Sequence, residues 1–260
     1  MSSTIYEVRP DGTRRAVTRD WVPEAPVALE FNGLSYAVMM ATPADLEDFA
    51  TGFALCEGLA QQPSEISDIA IAEVENGWVV RARLTGLGID KLTERVRSRV
   101  AESSCGLCGI DNLAEVARPL PKVAVHKAIE PVTIFAALSA LRPLQELTRR
   151  TGAAHAAAWA SPDGEIGLLR EDVGRHNAMD KLIGAMARAN RPLDPGFVIS
   201  TARCSYEIVE KAVRGGATSL VCVSLPTSLA VERAEDAGLS LWALARDDSV
   251  LLVNDASSAA

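Results

Sequence analysis

The chain has 260 residues, 48% of them hydrophobic and 23% charged, a composition that excludes disorder as its ordinary state and allows one large domain or two modest ones. Its 34 acidic residues outnumber 26 Lys and Arg, and the net charge of -8 argues against a polyanion-binding surface, because duplex binding depends on many cationic contacts to phosphates. No apolar run reaches the roughly 18 residues of a membrane span, and Met1 to Glu7 lack the basic and apolar regions of a secretory signal, so a cytoplasmic location with no membrane or nucleic-acid partner is expected.

In chain order, Val27 to Phe31 and Leu34 to Met40 flank Asn32-Gly33, a strong hairpin signal. Thr42-Pro43 then reads as a helix start, with Thr42 at the N-cap, Pro43 at the first helical position and Asp45, Glu47 and Asp48 near the positive end. The apolar face of that helix is Leu46, Phe49, Phe53, Leu55 and Leu59, and Cys56 among these neighbours reads as a buried, inert thiol. Two short strands are expected over 66–74 and 77–84, and a polar helix over 91–100.

Next come Cys105-Gly106-Leu107-Cys108-Gly109, preceded by two serines, a run too rich in small residues for regular structure. A CxxC pair serves as half of a metal site, as a dithiol/disulfide couple, or as a nucleophilic thiolate with a neighbour that tunes or resolves it. Five cysteines without a secretory signal are expected to be reduced rather than to form a disulfide framework. The metal use is disfavoured, since no second CxxC and no histidine stand at finger spacing. A zinc deaminase is disfavoured too: His126, His155 and His176 lack a glutamate two residues on, and Ser104 precedes the first cysteine where that motif has proline.

Composition changes after Pro119-Leu120-Pro121, which puts a lobe boundary near residue 125 and divides the chain into 1–125 and 126–260. The second part alternates helices expected over 131–150, 176–189, 205–214 and 227–237 with strands over 153–159, 165–169, 197–201, 219–223 and 239–245, the pattern of an α/β sheet covered by helices on both faces. Four strand-to-helix or strand-end junctions are polar. Arg170 to Lys181 contains Gly174 to let the backbone turn, Arg175 to pair with phosphate or carboxylate, and His176 and Asn177 near a helix start; the alternative is a solvated loop and a capped helix. Ser200 to Glu207 offers hydroxyls and Arg203 to a phosphate, or an ordinary cap at Ser205. Ser224 to Ser228 reads as a cap and a proline-shaped turn, and Leu244 to Ser249 ends a strand with Arg246. His126 and His155 have no polar cluster around them in sequence and read as structural or surface residues. No GxGxxG or Walker pattern occurs.

Taken together, Cys105-Gly106-Leu107-Cys108-Gly109, Arg170-Glu171-Asp172-Val173-Gly174-Arg175-His176-Asn177-Ala178-Met179-Asp180-Lys181, the Arg203/Ser205/Glu207/Lys211 pattern and Pro226-Thr227-Ser228-Leu229-Ala230-Val231-Glu232 resemble the formate dehydrogenase accessory sulfurtransferases of the FdhD type. The resemblance implies a homodimeric sulfur carrier that takes sulfane sulfur from a cysteine desulfurase and passes it to molybdenum bound by two molybdopterin guanine dinucleotides, before that cofactor enters the formate dehydrogenase catalytic subunit. It implies a three-layer α/β/α, cytidine-deaminase-like C-terminal lobe beside a smaller β-rich N-terminal lobe. By the same resemblance Cys105 carries the persulfide with Cys108 as its partner, and His176, Arg203, Ser205 and the segment Leu244, Ala245, Arg246, Asp247, Asp248 and Ser249 face the cofactor, whose guanine arm GDP would mimic. The chain departs from the family where Ala202 replaces a glycine and where Asp247 and Asp248 make the last segment more acidic. A cofactor-binding chaperone whose cysteines transfer no sulfur is the competing reading.

Overall fold

The computed structural model describes residues 5–86, 92–93 and 118–257. Cys105, Cys108 and all but two residues of the helix expected over 91–100 lie outside the described residues.

Asn32 and Gly33 both take positive φ, 52° and 80°, the mirror-image turn whose twist matches the flanking strands. They join β3 (Ala25–Phe31) to β4 (Leu34–Ala41), following a small antiparallel ribbon of β1 (Ile5–Val8) and β2 (Arg14–Val17). With β5 (Ile66–Val74) and β6 (Gly77–Leu84) they form a four-stranded sheet in the order β4-β3-β6-β5, parallel only between β3 and β6. One face buries Val27, Leu29, Phe31 and Tyr36 against Phe49 and Phe53 of helix α1 (Leu46–Cys56). Phe53 stacks on Phe31 at 6.3 Å and meets Tyr36 edge-on at 5.9 Å, arrangements that suit the ring quadrupoles.

Helix α1 starts later than Thr42-Pro43 implies. Its N-cap is Asp45, in the left-handed region and without a side-chain cap bond. Thr42 is instead held by the second half of the chain. Its amide donates to Asp172, its hydroxyl accepts from the Val173 amide and its carbonyl accepts from Lys181.

The helix expected over 131–150 is two, α2 (Pro131–Leu144) and α3 (Glu146–Thr151). Pro143 lacks an amide and Gln145 leaves helical geometry, after which the Glu171 carboxylate accepts from the amides of Leu147 and Thr148 and so caps the new start. There follow β7 (His155–Ala160), β8 (Ile166–Asp172), α4 (Arg175–Arg188), β9 (Phe197–Ser200), α5 (Tyr206–Arg214), β10 (Ser219–Cys222), α6 (Ser228–Ala237), β11 (Ser240–Ala243) and β12 (Leu251–Asn254). The six strands form one sheet in the order β12-β11-β10-β9-β7-β8. Strands β9, β10 and β11 are mutually parallel, while β7 runs against both β8 and β9, so β8 points the same way as the parallel trio.

Alternate strand residues face opposite layers. Val198, Leu220, Cys222 and Leu241 pack under α4, α5 and α6, with Met179, Leu182, Ile208 and Ala234. Phe197, Ile199, Val221 and Trp242 pack on the other face under Ile134, Leu138 and Leu141 of α2. The chain is thus mixed α/β, its larger sheet sandwiched between helices.

Helix α1 crosses α4 at two glycines, which ties the small sheet to the large one. A Cβ on Gly52 would lie 1.8 Å from the Asp180 carbonyl oxygen, and one on Gly184 1.8 Å from that of Asp48, so the backbones touch where no side chain fits. Charges flank this crossing. Buried Asp48 accepts from Arg170 at 2.8 and 2.9 Å and from Arg188 at 2.5 Å, and buried Asp180 pairs with Lys211 at 2.7 Å.

Candidate functional site

Because β8, β9, β10 and β11 point the same way, the segments leaving them, 173–175, 201–205, 223–227 and 244–249, lie along one edge of the sheet, and β7 enters at that edge with His155. The carboxyl edge of such a sheet is where ligands bind in α/β proteins. The junctions picked out in the sequence therefore share one rim.

The turn after β8 is held from within. Asp172, fully buried, accepts from Lys181 Nζ at 2.5 Å, the Gly174 amide at 2.7 Å, Asn177 Nδ2 at 2.9 Å and the Thr42 amide at 3.1 Å. Asn177 also donates to the Met40 carbonyl and Lys181 to that of Thr42, so strand β4 of the small sheet braces this turn. A buried carboxylate is tolerable only when its oxygens are filled in this way. Gly174 is required for space rather than for a turn: its φ is -98°, open to any residue, but a Cβ there would lie 2.7 Å from Asn177 Nδ2.

The braced turn delivers Arg175 and His176 as the first residues of α4. His176 Nε2 lies 2.9 Å from Glu207 Oε2, within ion-pair distance, although the ring nitrogen lacks hydrogen-bond alignment. Ser205 Oγ donates to the same oxygen at 3.4 Å, and it occupies the N-cap position of α5 without capping a backbone amide. The His176 contact, followed by the charges of Arg175 and Lys211, holds the Glu207 carboxyl below its usual range against the opposing effect of burial. Arg203 is exposed on the same loop, and its carbonyl accepts from the Ser205 amide.

His155 was not legible as a site residue, since its sequence neighbours are small and apolar. The antiparallel register sets it opposite Asp172, and burial, then Arg175, then His176 lower its pKa. Only the strand pairing reveals this cluster. His126, in contrast, is buried with Nε2 2.8 Å from Ser240 Oγ, a structural contact on β11.

The segment 244–249 leaves β11, two strands from β9 and so roughly 10 Å along the rim at ordinary strand spacing. Leu244 adopts φ 49°, unusual for a branched side chain, and is fixed there as its amide donates to the Ser224 carbonyl and that of Ala245 to Cys222. Arg246 donates to the Val223 carbonyl at 2.6 Å, and Asp247 pairs with Arg142 at 2.9 Å. Arg246, Asp247, Asp248 and Ser249 are exposed. The structure thus gathers His176 and Ser205 into one cluster with Arg203 on the same loop, and sets 244–249 further along the rim. Thr227, by contrast, caps α6 by accepting from the Ala230 amide.

The remaining described cysteines are unsuited to exchange. A hydrogen bond with Cys204 and then burial push the Cys222 thiol well up, and burial followed by the Asp180 charge does the same to Cys56. Lys211, part of the sequence pattern around the rim, faces inward to Asp180 instead of toward a ligand.

The FdhD/NarQ family model matches residues 22–258, nearly the whole chain. The chain belongs to the FdhD/NarQ family. It is 45% identical over 235 residues to a protein named sulfur carrier protein FdhD from Variovorax paradoxus, an alignment covering 90% of this chain and 84% of that one. A Cupriavidus necator protein of the same name is 46% identical over 223 residues, covering 86% and 77%. Among solved structures, one assigned as a formate dehydrogenase accessory protein, from Desulfotalea psychrophila, superposes with a TM-score of 0.76 over 97% of this chain and 96% of its own. At 22% identity that match speaks to the fold. Family membership extends across both sheets, so the rim and the helix crossing that braces it both fall within the matched region.

Proposed function

We propose that this chain is a sulfur carrier that serves formate dehydrogenase. Cys105 accepts sulfane sulfur from a cysteine desulfurase as a persulfide, with Cys108 as its partner. On delivery a reduced acceptor supplies an electron pair to the outer sulfur and is itself oxidised by two electrons; its bond to that sulfur forms as the S–S bond breaks, and Cys105 leaves as a thiolate, ready to be loaded again. The acceptor is molybdenum held by two molybdopterin guanine dinucleotides, a substrate rather than a resident cofactor. It lies along the rim, where His176, Arg203, Ser205 and residues 244–249 of a cytidine-deaminase-like lobe face its nucleotide arms. The working unit is a cytoplasmic homodimer.

The observation that carries the sulfur-carrier reading is the match of residues 22–258 to a family whose relatives are named sulfur carriers. Support for an anionic cofactor comes from the convergence of cationic and hydrogen-bonding groups at one sheet edge, on a protein whose net charge of -8 would otherwise repel it. The test is maturation in cells lacking their own carrier. This chain should restore formate dehydrogenase activity, and the Cys105→Ala, Cys108→Ala double variant, expressed to the same level, should not. Full activity with the double variant would instead establish a cofactor-binding chaperone that transfers no sulfur.

A further inference from the structure

Around the start of α4 almost every charge already has a partner. Asp172 is filled by four donors, Lys181 is held by Asp172 and Thr42, and Glu207 is engaged by His176 and Ser205. Two buried nitrogens there have no hydrogen-bond partner: His176 Nε2, which still lies 2.9 Å from Glu207 Oε2, and Arg175 Nε, for which no carboxylate lies at ion-pair distance among the described residues. A guanidinium nitrogen removed from water without an acceptor is costly, and native structures keep such groups for a ligand or a strain that serves function. Around it stand the imidazoles of His155, which the strand register places opposite Asp172, and of His176, the next residue of α4, together with the positive end of α4. Glu207 is within electrostatic reach of Arg175, but its contacts go to His176 and Ser205.

We propose that Arg175 is the anion clamp of the rim, receiving a phosphate oxygen of the cofactor's guanine-nucleotide arm between His155 and His176. The proposal rests on the nucleotide-binding reading above and assigns within it two residues, Arg175 and His155, that the family resemblance did not single out. Arginine suits this role, since its planar fork presents Nε and a terminal nitrogen together to two oxygens of one phosphate. Its placement on a turn braced by buried Asp172 fixes the backbone that carries the fork before the ligand arrives, which lowers the ordering cost of binding.

The test is calorimetry of the full chain with GDP, inorganic pyrophosphate and guanosine at one pH and ionic strength. Wild type should bind GDP and pyrophosphate, and Arg175→Gln should weaken both by roughly 10- to 100-fold while leaving guanosine affinity within about twofold. Unchanged GDP affinity in a variant with a wild-type circular dichroism spectrum and melting point would overturn the clamp. Should Arg175→Gln not fold, Arg175→Lys decides, because it keeps the charge and removes Nε: affinity equal to wild type rejects the clamp, and a clear loss supports it. If wild type binds neither GDP nor pyrophosphate, the nucleotide reading falls and the clamp with it. If wild type binds both and only Arg203→Ala weakens them, the clamp alone falls.

Discussion

Asp172 and Lys181 show how single residues set the rim. Both side chains are fully buried, so each makes the other tolerable, and Lys181→Met should leave an uncompensated carboxylate beneath the turn. A loss of about 3–5 kcal/mol in denaturant unfolding is expected, and a loss under about 1 kcal/mol would show that the pair matters little. His155 carries a pH signature. Burial, Arg175 and His176 hold its pKa below 6.5, so the folded state binds fewer protons than the unfolded one in that window and stability rises with pH through it. Unfolding midpoints should therefore fall as pH drops through and below 6.5, and His155→Gln should flatten that slope; a ring resonance titrating above 6.5 would contradict the assignment. At Arg203, exposed beside Ser205, replacement by alanine should weaken GDP binding by calorimetry, and an unchanged affinity would remove it from the rim's binding set.

At the level of elements, the crossing of α1 and α4 joins the two sheets. Gly52→Ala would drive a methyl into the Asp180 carbonyl and Gly184→Ala one into that of Asp48, contacts that backbone cannot yield cheaply. Either change should cost at least the roughly 1–3 kcal/mol of ordinary overpacking, read as a shift in denaturant midpoint at constant slope. Elements set by local chemistry were legible in the sequence: the Asn32-Gly33 hairpin, the Thr227 cap and the strand-helix alternation after residue 150 all follow from neighbours in the chain. Those set by distant partners were not. Thr42 looks like an N-cap until Asp172, 130 residues away, claims its amide, and the break at Gln145 is completed by Glu171 from β8. Pro143 was the one local hint of that break.

For the molecule as a whole, the polar strand ends could be found one by one, but their common rim depends on strand direction, which the alternation of helices and strands only suggests. The antiparallel β7 brings in His155, and no spacing rule reveals that. No helix among the described residues is long and apolar enough to cross a membrane. The large sheet presents one edge braced by the small sheet through Thr42, Met40 and the glycine crossing, and that edge is the proposed destination of the sulfur proposed to travel on Cys105. That sulfur is the central claim. The most direct measurement is mass spectrometry of the protein after incubation with a cysteine desulfurase and cysteine. A mass gain of one sulfur on the peptide containing Cys105, lost on reduction and absent from the Cys105→Ala, Cys108→Ala double variant, is the predicted result; sulfur loading that persists in that variant would contradict it.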